Sequence, residues 1–288
     1  GPLLGLCYNP EFIALGSVIR NMRNPDIVLI GESDPASGKL LGALHHGICE
    51  NVPDMQQMSF INAELTKIAI NTYVTTKISY ANMLAEVCEK LDGADVDIVT
   101  HAIGGDSRIG RKYLTGAVKY GGPCFPRDNK AFSAMGQAIG ANCALARATD
   151  DINDHQTARL VAWVLKFAPE GATLCVAGIA YKPETSETTE SQGVALLHAL
   201  RSNGYAVRAY DPEVNQTQMP GGIEIYDDLL QACEGCAVVI LATPWAGMEQ
   251  DLSQLRNATI IDPWRITKKL QLSSCVTVIH LGVGATAR

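Results

Sequence analysis

The alternation of strand-like and helix-like segments after Pro169 restricts the fold of this chain more than any other feature. Apolar runs typical of buried strands occupy residues 173–178, 207–210, 238–241, 259–261 and 276–280. Residues 191–203 have a helical pattern that Gly204 ends. Strands that alternate with helices predict a doubly wound parallel sheet, with ligands at the carboxyl ends of its strands. We therefore expect an α/β fold, with a Rossmann-like C-terminal domain at residues 168–288.

The turn after the first of these strands departs from the usual dinucleotide fingerprint. It runs Gly178-Ile179-Ala180-Tyr181-Lys182, with one glycine and then a lysine. The Gly-x-Gly-x-x-Gly pattern that lets the backbone approach a pyrophosphate is absent. The domain is predicted to bind a nucleotide, but a dinucleotide in the usual pose is poorly supported.

Residues 62–91 predict one long helix, because they contain neither proline nor glycine. At 1.5 Å per residue the helix would be about 45 Å long, which is unusual in a globular domain. Its apolar residues occupy several faces, which indicates burial against more than one layer, a partner chain included. Lys67 and Asn71 are four residues apart and share a face. A lysine on such a helix is by default a solvated surface residue.

The first 55 residues have the pattern of the end of an α/β domain. Residues 5–8 resemble a strand end, residues 9–12 a turn, and residues 27–30 a buried strand. A loop at 33–38 and a helix to about Cys49 are expected to follow. We predict three regions: a C-terminal remnant of a Rossmann domain (1–56), a central helical region (57–167) and the C-terminal domain (168–288).

The segment Tyr120-Gly121-Gly122-Pro123-Cys124-Phe125-Pro126-Arg127-Asp128 places a cysteine between two prolines. Residues 129–139 have apolar positions at helical spacing, so Asp128 is predicted to be an N-cap. Cys124 would then precede a helix N-terminus, where backbone N–H groups favour an anion. A free thiol is only about 3% ionised at neutral pH and needs such help to act as a nucleophile. The alternative is a buried free cysteine in a tight turn.

Composition excludes several classes of partner and site. The net charge is −7 and no basic run occurs, so we expect no nucleic-acid partner. No apolar run approaches the ~20 residues that cross a bilayer, so no membrane association is expected. Nine cysteines without a disulfide-framework spacing indicate a reducing, cytoplasmic compartment. The Cys233–Cys236 pair has no second pair, and His45-His46 suits a solvated helix face, so no metal site is predicted.

Five motifs together resemble the UDP-glucose/GDP-mannose dehydrogenase family in order and spacing. They are Asn-Pro-Glu-Phe at 9–12, Ala-Glu-Leu-Thr-Lys at 63–67 with Asn71, Arg-Ile-Gly at 108–110, Gly-Gly-Pro-Cys-Phe-Pro-Arg-Asp at 121–128 and Gly-Ile-Ala-Tyr-Lys at 178–182. The resemblance covers essentially the whole chain. It implies a fragment that lacks most of an N-terminal NAD-binding domain and holds a central dimerisation region and a UDP-sugar-binding domain.

The resemblance implies a four-electron oxidation of a sugar C6 alcohol to a carboxylate by two NAD+ in succession. Cys124 matches the family nucleophile, which forms a thiohemiacetal and then a thioester. Lys67 and Asn71 match residues that stabilise the oxyanion. Asp128 matches a carboxylate near the hydrolytic water, and Glu11 a general base for thioester hydrolysis.

Further positions match ligand contacts of the family. The implied sugar-nucleotide contacts are Phe12, Arg108, Tyr113, Tyr120, Gly121, Gly122, Tyr181, Lys182 and Arg265, and the implied cofactor contacts are Pro123 and Arg127. The sequence departs from the family pattern at Leu15, Lys119, Arg127, Thr189 and Trp264, with Arg265 as a substitute for an arginine at position 264.

UDP-glucose is the substrate expected first, with UDP-N-acetylhexosamine and GDP-mannose as alternatives. A homodimer is also expected. A different hypothesis is that this chain is a catalytically silent sugar-nucleotide-binding dimer, because hydride transfer needs a positioned nicotinamide. Appreciable formation of NADH by the 288-residue chain would contradict that hypothesis. A purely structural helical dimer would leave the presence of Cys124, Lys67, Asn71 and Arg108 unexplained.

Overall fold

The computed structural model describes residues 4–12, 14–219 and 221–285. The chain divides into two compact units, residues 1–71 and 72–288. One long helix, α3 (Phe60–Glu89), contributes residues to both units. The predicted boundaries after residues 56 and 167 remain predictions.

The first unit contains a three-stranded sheet of β1 (Cys7–Tyr8), β2 (Ile27–Glu32) and β3 (Asp54–Met58), in that order. β1 is antiparallel to β2, and β2 is parallel to β3. Two helices, α1 (Val18–Arg23) and α2 (Pro35–Ile48), complete the unit. Residues 28–30 of β2 are buried, as their apolar run predicts. β3 could not be predicted in this way because it has no continuous apolar run.

Helix α2 begins earlier than the sequence pattern predicts. The expected loop at 33–38 is wrong, because Asp34 is the N-cap and Pro35 is the first helical residue. The Asp34 carboxylate accepts hydrogen bonds from the N–H groups of Ala36 and Ser37, both at 3.0 Å. An aspartate cap followed by proline is a strong helix start. Ser37 and Gly38 are typical of a loop, so the sequence pattern did not indicate this helix start.

Helix α3 confirms the predicted long helix and is about 45 Å long. In the second unit it is accompanied by α4 (Val96–Gly104), α5 (Phe125–Ala138) and α6 (Ala144–Leu165). Polar side chains on α3 bind these neighbours. Thr75 Oγ1 donates to Asn129 Oδ1 at 3.3 Å, and Ser79 Oγ donates to the Thr149 carbonyl at 2.9 Å. The buried face of α3 is therefore small and polar, which explains the missing apolar stripe.

A six-stranded parallel sheet dominates the second unit, with strand order β6-β5-β4-β7-β8-β9. Its strands are β4 (Thr173–Ala177), β5 (Ala206–Tyr210), β6 (Glu224–Tyr226), β7 (Val238–Leu241), β8 (Thr259–Asp262) and β9 (Thr277–His280). The helices that accompany it are α7 (Gln192–Ser202), α8 (Leu229–Cys233) and α9 (Met248–Leu252), with 3₁₀ turns at Gln216–Gln218 and Ile266–Lys269. This order confirms the doubly wound sheet, and the strand order reverses between β4 and β7. The short edge strand β6 was not predicted.

A buried ion pair holds the end of α3 in place. Glu89 and Arg159 have side chains 6% and 4% exposed, and the Arg159 Nη2 atom contacts Glu89 Oε1. Trp163 Nε1 donates to Glu89 Oε2 at 3.2 Å, and the Gly282 N–H donates to Glu89 Oε1 at 2.8 Å. One carboxylate therefore joins α3, α6 and the chain after β9.

Within the described ranges, no helix is both long and apolar enough to cross a membrane.

Replacing Glu89 with alanine is expected to lower the free energy of unfolding of the second unit by about 3–5 kcal/mol, because the buried Arg159 guanidinium loses its carboxylate partner. Denaturant unfolding followed by circular dichroism measures this. Glu86→Ala, one turn earlier on α3, removes a more exposed carboxylate that pairs with Lys90 and is the control, with an expected loss of about 0–1 kcal/mol. Equal losses of unfolding free energy in the two variants would contradict the stabilising role of the buried Glu89–Arg159 ion pair.

Candidate functional site

Cys124 is itself the N-cap of α5, with φ −100° and ψ −56°. The predicted N-cap at Asp128 is wrong, because the Asp128 N–H donates to the Cys124 carbonyl at 2.8 Å and lies inside the helix. Pro126 fits the first turn, where a missing N–H breaks no helical hydrogen bond. Cys124 is exposed, so the alternative of a buried structural cysteine is wrong as well.

The two glycines before Cys124 bring the backbone against the chain that follows β4. The Gly122 N–H donates to the Thr189 carbonyl at 2.8 Å. A Cβ atom on Gly121 would lie 2.5 Å from the Glu190 carbonyl oxygen. Gly122 has φ +84°, and a Cβ atom there would lie 2.7 Å from the Tyr181 ring. Side chains at these positions would push Cys124 away from the carboxyl edge of the sheet.

Tyr120 fixes the other end of the segment to α6. Its ring is buried and its hydroxyl donates to Asp150 Oδ1 at 2.6 Å. The Tyr120 N–H donates to Asn153 Oδ1 at 2.7 Å. Burial, followed by the Asp150 contact, raises the pKa of Tyr120. The Tyr120 hydroxyl thus supports the segment, and a substrate contact through it remains a prediction.

Aromatic side chains lie close to Cys124. Burial, followed by the charges of Cys124, Glu187 and Tyr113, raises the pKa of Tyr181 to about 12. The Tyr113 ring stands edge-on to Phe125, with centroids 6.3 Å apart. The Tyr181 hydroxyl therefore stays protonated at neutral pH and can donate a hydrogen bond near the thiol.

Lys182 brings a cation to the same turn. Burial lowers the pKa of its ammonium, and the Glu184 carboxylate opposes that shift. The ammonium lies 5.8 Å from the centroid of the Tyr181 ring. A partly buried lysine just beyond the carboxyl end of β4 suits a phosphate group.

Arg127 and Asp128 form an ion pair in the first turn of α5. Arg127 Nε and Nη2 lie 2.9 Å and 2.8 Å from Asp128 Oδ1. The Asp128 side chain is 8% exposed and that of Arg127 is 68% exposed. The carboxylate is therefore built into the protein, while the guanidinium reaches solvent. Pro123 beside Cys124 is exposed as well.

Arg108 is presented on a loop that other residues hold in place. Its guanidinium forms two hydrogen bonds to Asp106, Nε to Oδ1 at 3.0 Å and Nη2 to Oδ2 at 2.6 Å. The pair lowers the pKa of Asp106. Lys77 Nζ donates to the carbonyls of Ile109 and Gly110 at 3.1 and 3.0 Å. Arg108 itself is 86% exposed and accessible to a ligand or a second chain.

Arg265 has a structural position. Its side chain is 1% exposed, and Nε and Nη2 each donate to a carboxylate oxygen of Asp97 at 2.8 Å. Nη1 donates to the carbonyls of Leu281, at 3.0 Å, and Pro263. These contacts join the first turn of α4 to the segment after β8. Because the Arg265 guanidinium is buried, the structure does not support the predicted contact of Arg265 with the substrate.

Asp211 shapes the turn after β4, although no sequence motif marks it. This buried carboxylate directly after β5 accepts from the N–H groups of Ile179 and Ala180 at 2.7 and 2.9 Å. It also accepts from Trp245 Nε1 at 3.1 Å. In a dinucleotide fingerprint the N–H groups after the first strand face the pyrophosphate. Here the Asp211 carboxylate accepts hydrogen bonds from two of these N–H groups. The Asp211-Pro212 pair at the end of β5 is the sequence feature from which this arrangement could have been predicted.

In the first unit, Lys67 meets two other predicted site residues. Its ammonium donates to the backbone carbonyl of Glu11 and lies 4.2 Å from the centroid of the Phe12 ring. Asn71 is buried, one turn further along α3. The structure therefore brings Glu11, Phe12 and Lys67 together.

The Cys233–Cys236 pair lies at the end of α8, as predicted, and both residues are buried as free thiols. Among the residues that the structure describes, no group of three or more His, Cys, Asp or Glu side chains could hold a metal ion.

Comparison with known proteins gives two family matches on this chain. The central domain of the UDP-glucose/GDP-mannose dehydrogenase family matches residues 61–155. The UDP binding domain of the same family matches residues 175–269. The second match begins within β4, ends with the 3₁₀ turn after β8 and includes Lys182.

Individual relatives extend beyond these matches. The UDP-glucose 6-dehydrogenase of Pseudomonas aeruginosa is 31% identical over 267 residues, 88% of this chain and 59% of that protein. The putative UDP-glucose 6-dehydrogenase YtcA of Bacillus subtilis is 31% identical over 292 residues, 98% of this chain and 67% of that protein. A solved UDP-glucose dehydrogenase from the archaeon Pyrobaculum islandicum has a TM-score of 0.83 and 28% identity, over 94% of this chain and 64% of that one.

The chain thus spans only part of the length of each of these relatives. The two domain matches lie in succession, and the similarity to whole proteins includes both of them and the segment between them. This chain belongs to the UDP-glucose/GDP-mannose dehydrogenase family.

Proposed function

We propose that the whole protein is an NAD-dependent UDP-glucose 6-dehydrogenase that forms the uronate through a covalent intermediate on Cys124. The observation that carries the proposal is an exposed cysteine at the N-cap of a 14-residue helix. The preceding Gly122 packs against Tyr181, in the turn after β4 that also carries Lys182. A helix N-terminus favours the thiolate, which is the nucleophilic form. The names of the relatives support the choice of UDP-glucose.

In the proposed reaction, the Cys124 thiolate attacks the C6 aldehyde that the first oxidation produces. The C–S bond forms, the carbonyl oxygen takes up a proton, and a thiohemiacetal results. Loss of a hydride from C6 and of the hydroxyl proton leaves a thioester. Water then attacks C6, the C–S bond breaks, and the carboxylate leaves while the sulfur regains its proton. The buried Asp128 carboxylate, one helical turn from Cys124, is proposed to orient that water.

The residues beside Cys124 fit a bound nicotinamide cofactor. Pro123 and Arg127 are both exposed, and a solvent-facing guanidinium suits the negative charge of a dinucleotide. NAD+ held by these residues would supply the hydride acceptor for the two oxidations. Lys67 and Asn71 keep the oxyanion-stabilising role that the family resemblance implies, and Glu11 that of a general base.

The substrate site proposed for this chain uses one partly buried and one exposed cation. Lys182 is proposed to bind the diphosphate, and Tyr113, Gly121, Gly122 and Tyr181 to enclose the sugar beside Cys124. Arg108 is proposed to contact the substrate from its rigid loop. Arg108 and Tyr113 are exposed and Tyr181 and Lys182 are half-buried, while Gly121 and Gly122 directly precede the Pro123-Cys124 pair.

UDP-glucose is expected to protect Cys124 of this chain from alkylation by iodoacetamide, because the sugar would cover the thiol. Mass spectrometry of the labelled peptides follows the rate. Cys275, the other exposed cysteine in the described ranges, is the internal control and should react equally with and without ligand. Lys182→Met should raise the concentration for half-protection about tenfold or more, since a charge-assisted contact is lost.

UDP-N-acetylglucosamine and GDP-mannose at equal concentration are the comparison ligands. If either of these ligands protects Cys124 and UDP-glucose does not, the protecting sugar nucleotide takes the place of UDP-glucose as the proposed substrate. Protection by UDP-glucose without turnover by the whole protein would favour the catalytically silent sugar-nucleotide-binding protein instead.

Cys124→Ser in the whole protein is expected to abolish release of the uronate, since the serine hydroxyl is un-ionised at neutral pH and forms no thioester. Chromatographic detection of the acid product after incubation with UDP-glucose and NAD+ measures this. Cys275→Ser is the matched control and should retain the wild-type rate. A Cys124→Ser variant that releases uronate at the wild-type rate would refute the assignment of Cys124 as the nucleophile.

We also propose that the protein forms a homodimer through α3. Tyr73, Tyr80 and Val87 are 61%, 47% and 46% exposed. Their spacing of seven residues places them on one side of the helix, with a drift of about 20° per step. Exposed apolar side chains in such a row mark an interaction surface.

The double variant Tyr80→Glu/Val87→Glu is expected to sediment as a monomer at concentrations where the wild-type chain is a dimer, because two carboxylates per chain would be buried without partners. Sedimentation velocity distinguishes the two states. Leu165→Glu, at an apolar residue on α6 that is 42% exposed, is the control and should remain dimeric. A dimeric double variant would place the interface elsewhere.

A further inference from the structure

We propose that Lys119 is a positioning residue that fixes the Cys124 segment (residues 119–124) through an ion pair with Glu190. Glu190 belongs to the loop at 178–191 that joins β4 to α7. The proposal rests on the proposed role of Cys124 as nucleophile. Lys119 is one of the positions at which the sequence departs from the family pattern, so the family resemblance assigns it no role.

The Lys119 side chain is largely buried and directs its charge at this loop. It is 10% exposed, whereas lysine side chains are mostly exposed in folded proteins. Its ammonium lies 3.4 Å from Glu190 Oε2. Glu190 Oε1 lies 3.9 Å from the ammonium of Lys130, which is 64% exposed. A largely buried charge is costly without a partner of opposite sign, so Glu190 is held more firmly by Lys119 than by Lys130.

Hydrogen bonds on either side of the ion pair show how the two segments run. The Lys119 N–H donates to Gln192 Oε1 at 3.3 Å, and the Gly122 N–H donates to the Thr189 carbonyl at 2.8 Å. Later residues of the Cys124 segment therefore meet earlier residues of the other segment. The ion pair with Glu190 lies between these two hydrogen bonds and adds a charge-assisted contact to them.

Glu190 needs such contacts because its backbone is strained. Its φ of +54° lies in the left-handed region, which is unfavourable for residues that have a Cβ atom. Such a conformation persists only where the surrounding structure determines it. The Glu190 carbonyl faces Gly121, and the next residue, Ser191, is the N-cap of α7. The ion pair thus holds a strained residue at the point where the loop, the glycines and α7 meet.

The residues between Lys119 and the thiol cannot fix the position of Cys124 by themselves. Gly121 and Gly122 have the most freely rotating backbone of any residue type. Contacts with the loop must therefore determine their course, and the Tyr181 ring that Gly122 faces belongs to the same loop. Lys119 acts on the thiol through this backbone.

Hydrogen–deuterium exchange of the Gly122 amide in this chain tests the link without dehydrogenase activity. In Lys119→Met, which keeps an unbranched apolar stem but loses the charge, exchange is expected to be about tenfold faster than in the wild type, because the segment opens more readily. Mass spectrometry with electron-transfer fragmentation assigns the deuterium to single residues. Lys130→Met, which removes the exposed cation beside Glu190, is the matched control and should exchange at the wild-type rate.

Glu190→Gln should accelerate exchange of the Gly122 amide to the same extent. The double variant with Lys119→Met should exchange no faster than either single variant, since both changes remove one interaction. An unchanged rate in Lys119→Met, or effects that multiply in the double variant, would overturn the proposal. Circular dichroism shows whether each variant is folded, and Glu190→Gln carries the same test if Lys119→Met is not.

In the whole protein, Lys119→Met is expected to lower kcat for uronate formation about tenfold, with the KM for UDP-glucose changed by about twofold at most, because the thiol is displaced while the nucleotide contacts remain. An unchanged kcat in the folded variant would mean that the lysine is merely structural and would overturn the positioning role. If Cys124→Ser retained uronate formation, the proposed function would fail, while faster exchange of the Gly122 amide would still establish the link between Lys119 and Glu190.

Discussion

The close contact between the glycines before Cys124 and the chain after β4 determines the rest of the candidate site. Gly121 and Gly122 lie against residues 189–190 and the Tyr181 ring at distances that leave no space for a Cβ atom. This contact fixes the start of α5 at the carboxyl edge of the sheet, where parallel α/β folds bind ligands. The position of Cys124 close to the Tyr181 ring follows from that contact.

The sequence predicted those parts of the structure in which local chemistry and tertiary packing agree. The apolar runs of β4 and β7 are buried on both faces, as central parallel strands require, and α3 has no breaking residue over 30 positions. The start of α5 was misplaced because Pro126 and Asp128 each resemble a helix boundary, whereas the structure uses the first turn to accommodate both. β3 and β6 have too few apolar residues to be recognised, because edge strands bury little surface.

Side-chain partners were the least predictable part of the site, since they depend on contacts between residues far apart in sequence. Arg265 matched a substrate contact in the motif pattern, but the structure places it against Asp97, which lies 168 residues earlier. Asp211 showed no motif, yet it fills the N–H groups that a dinucleotide would require after β4. This arrangement agrees with the match of the sheet to the UDP binding domain of the family and with the absence of a dinucleotide fingerprint after β4.

Covalent capture of the sugar by Cys124 is the central claim, and rapid-quench mass spectrometry of the whole protein during turnover of UDP-glucose with NAD+ tests it directly. Acid quenching preserves thioesters, so peptide mapping can locate the adduct. A UDP-glucuronyl group on the peptide that contains Cys124, present during turnover and lost when substrate is exhausted, is the predicted result. Uronate formation with the adduct on a different residue would contradict it.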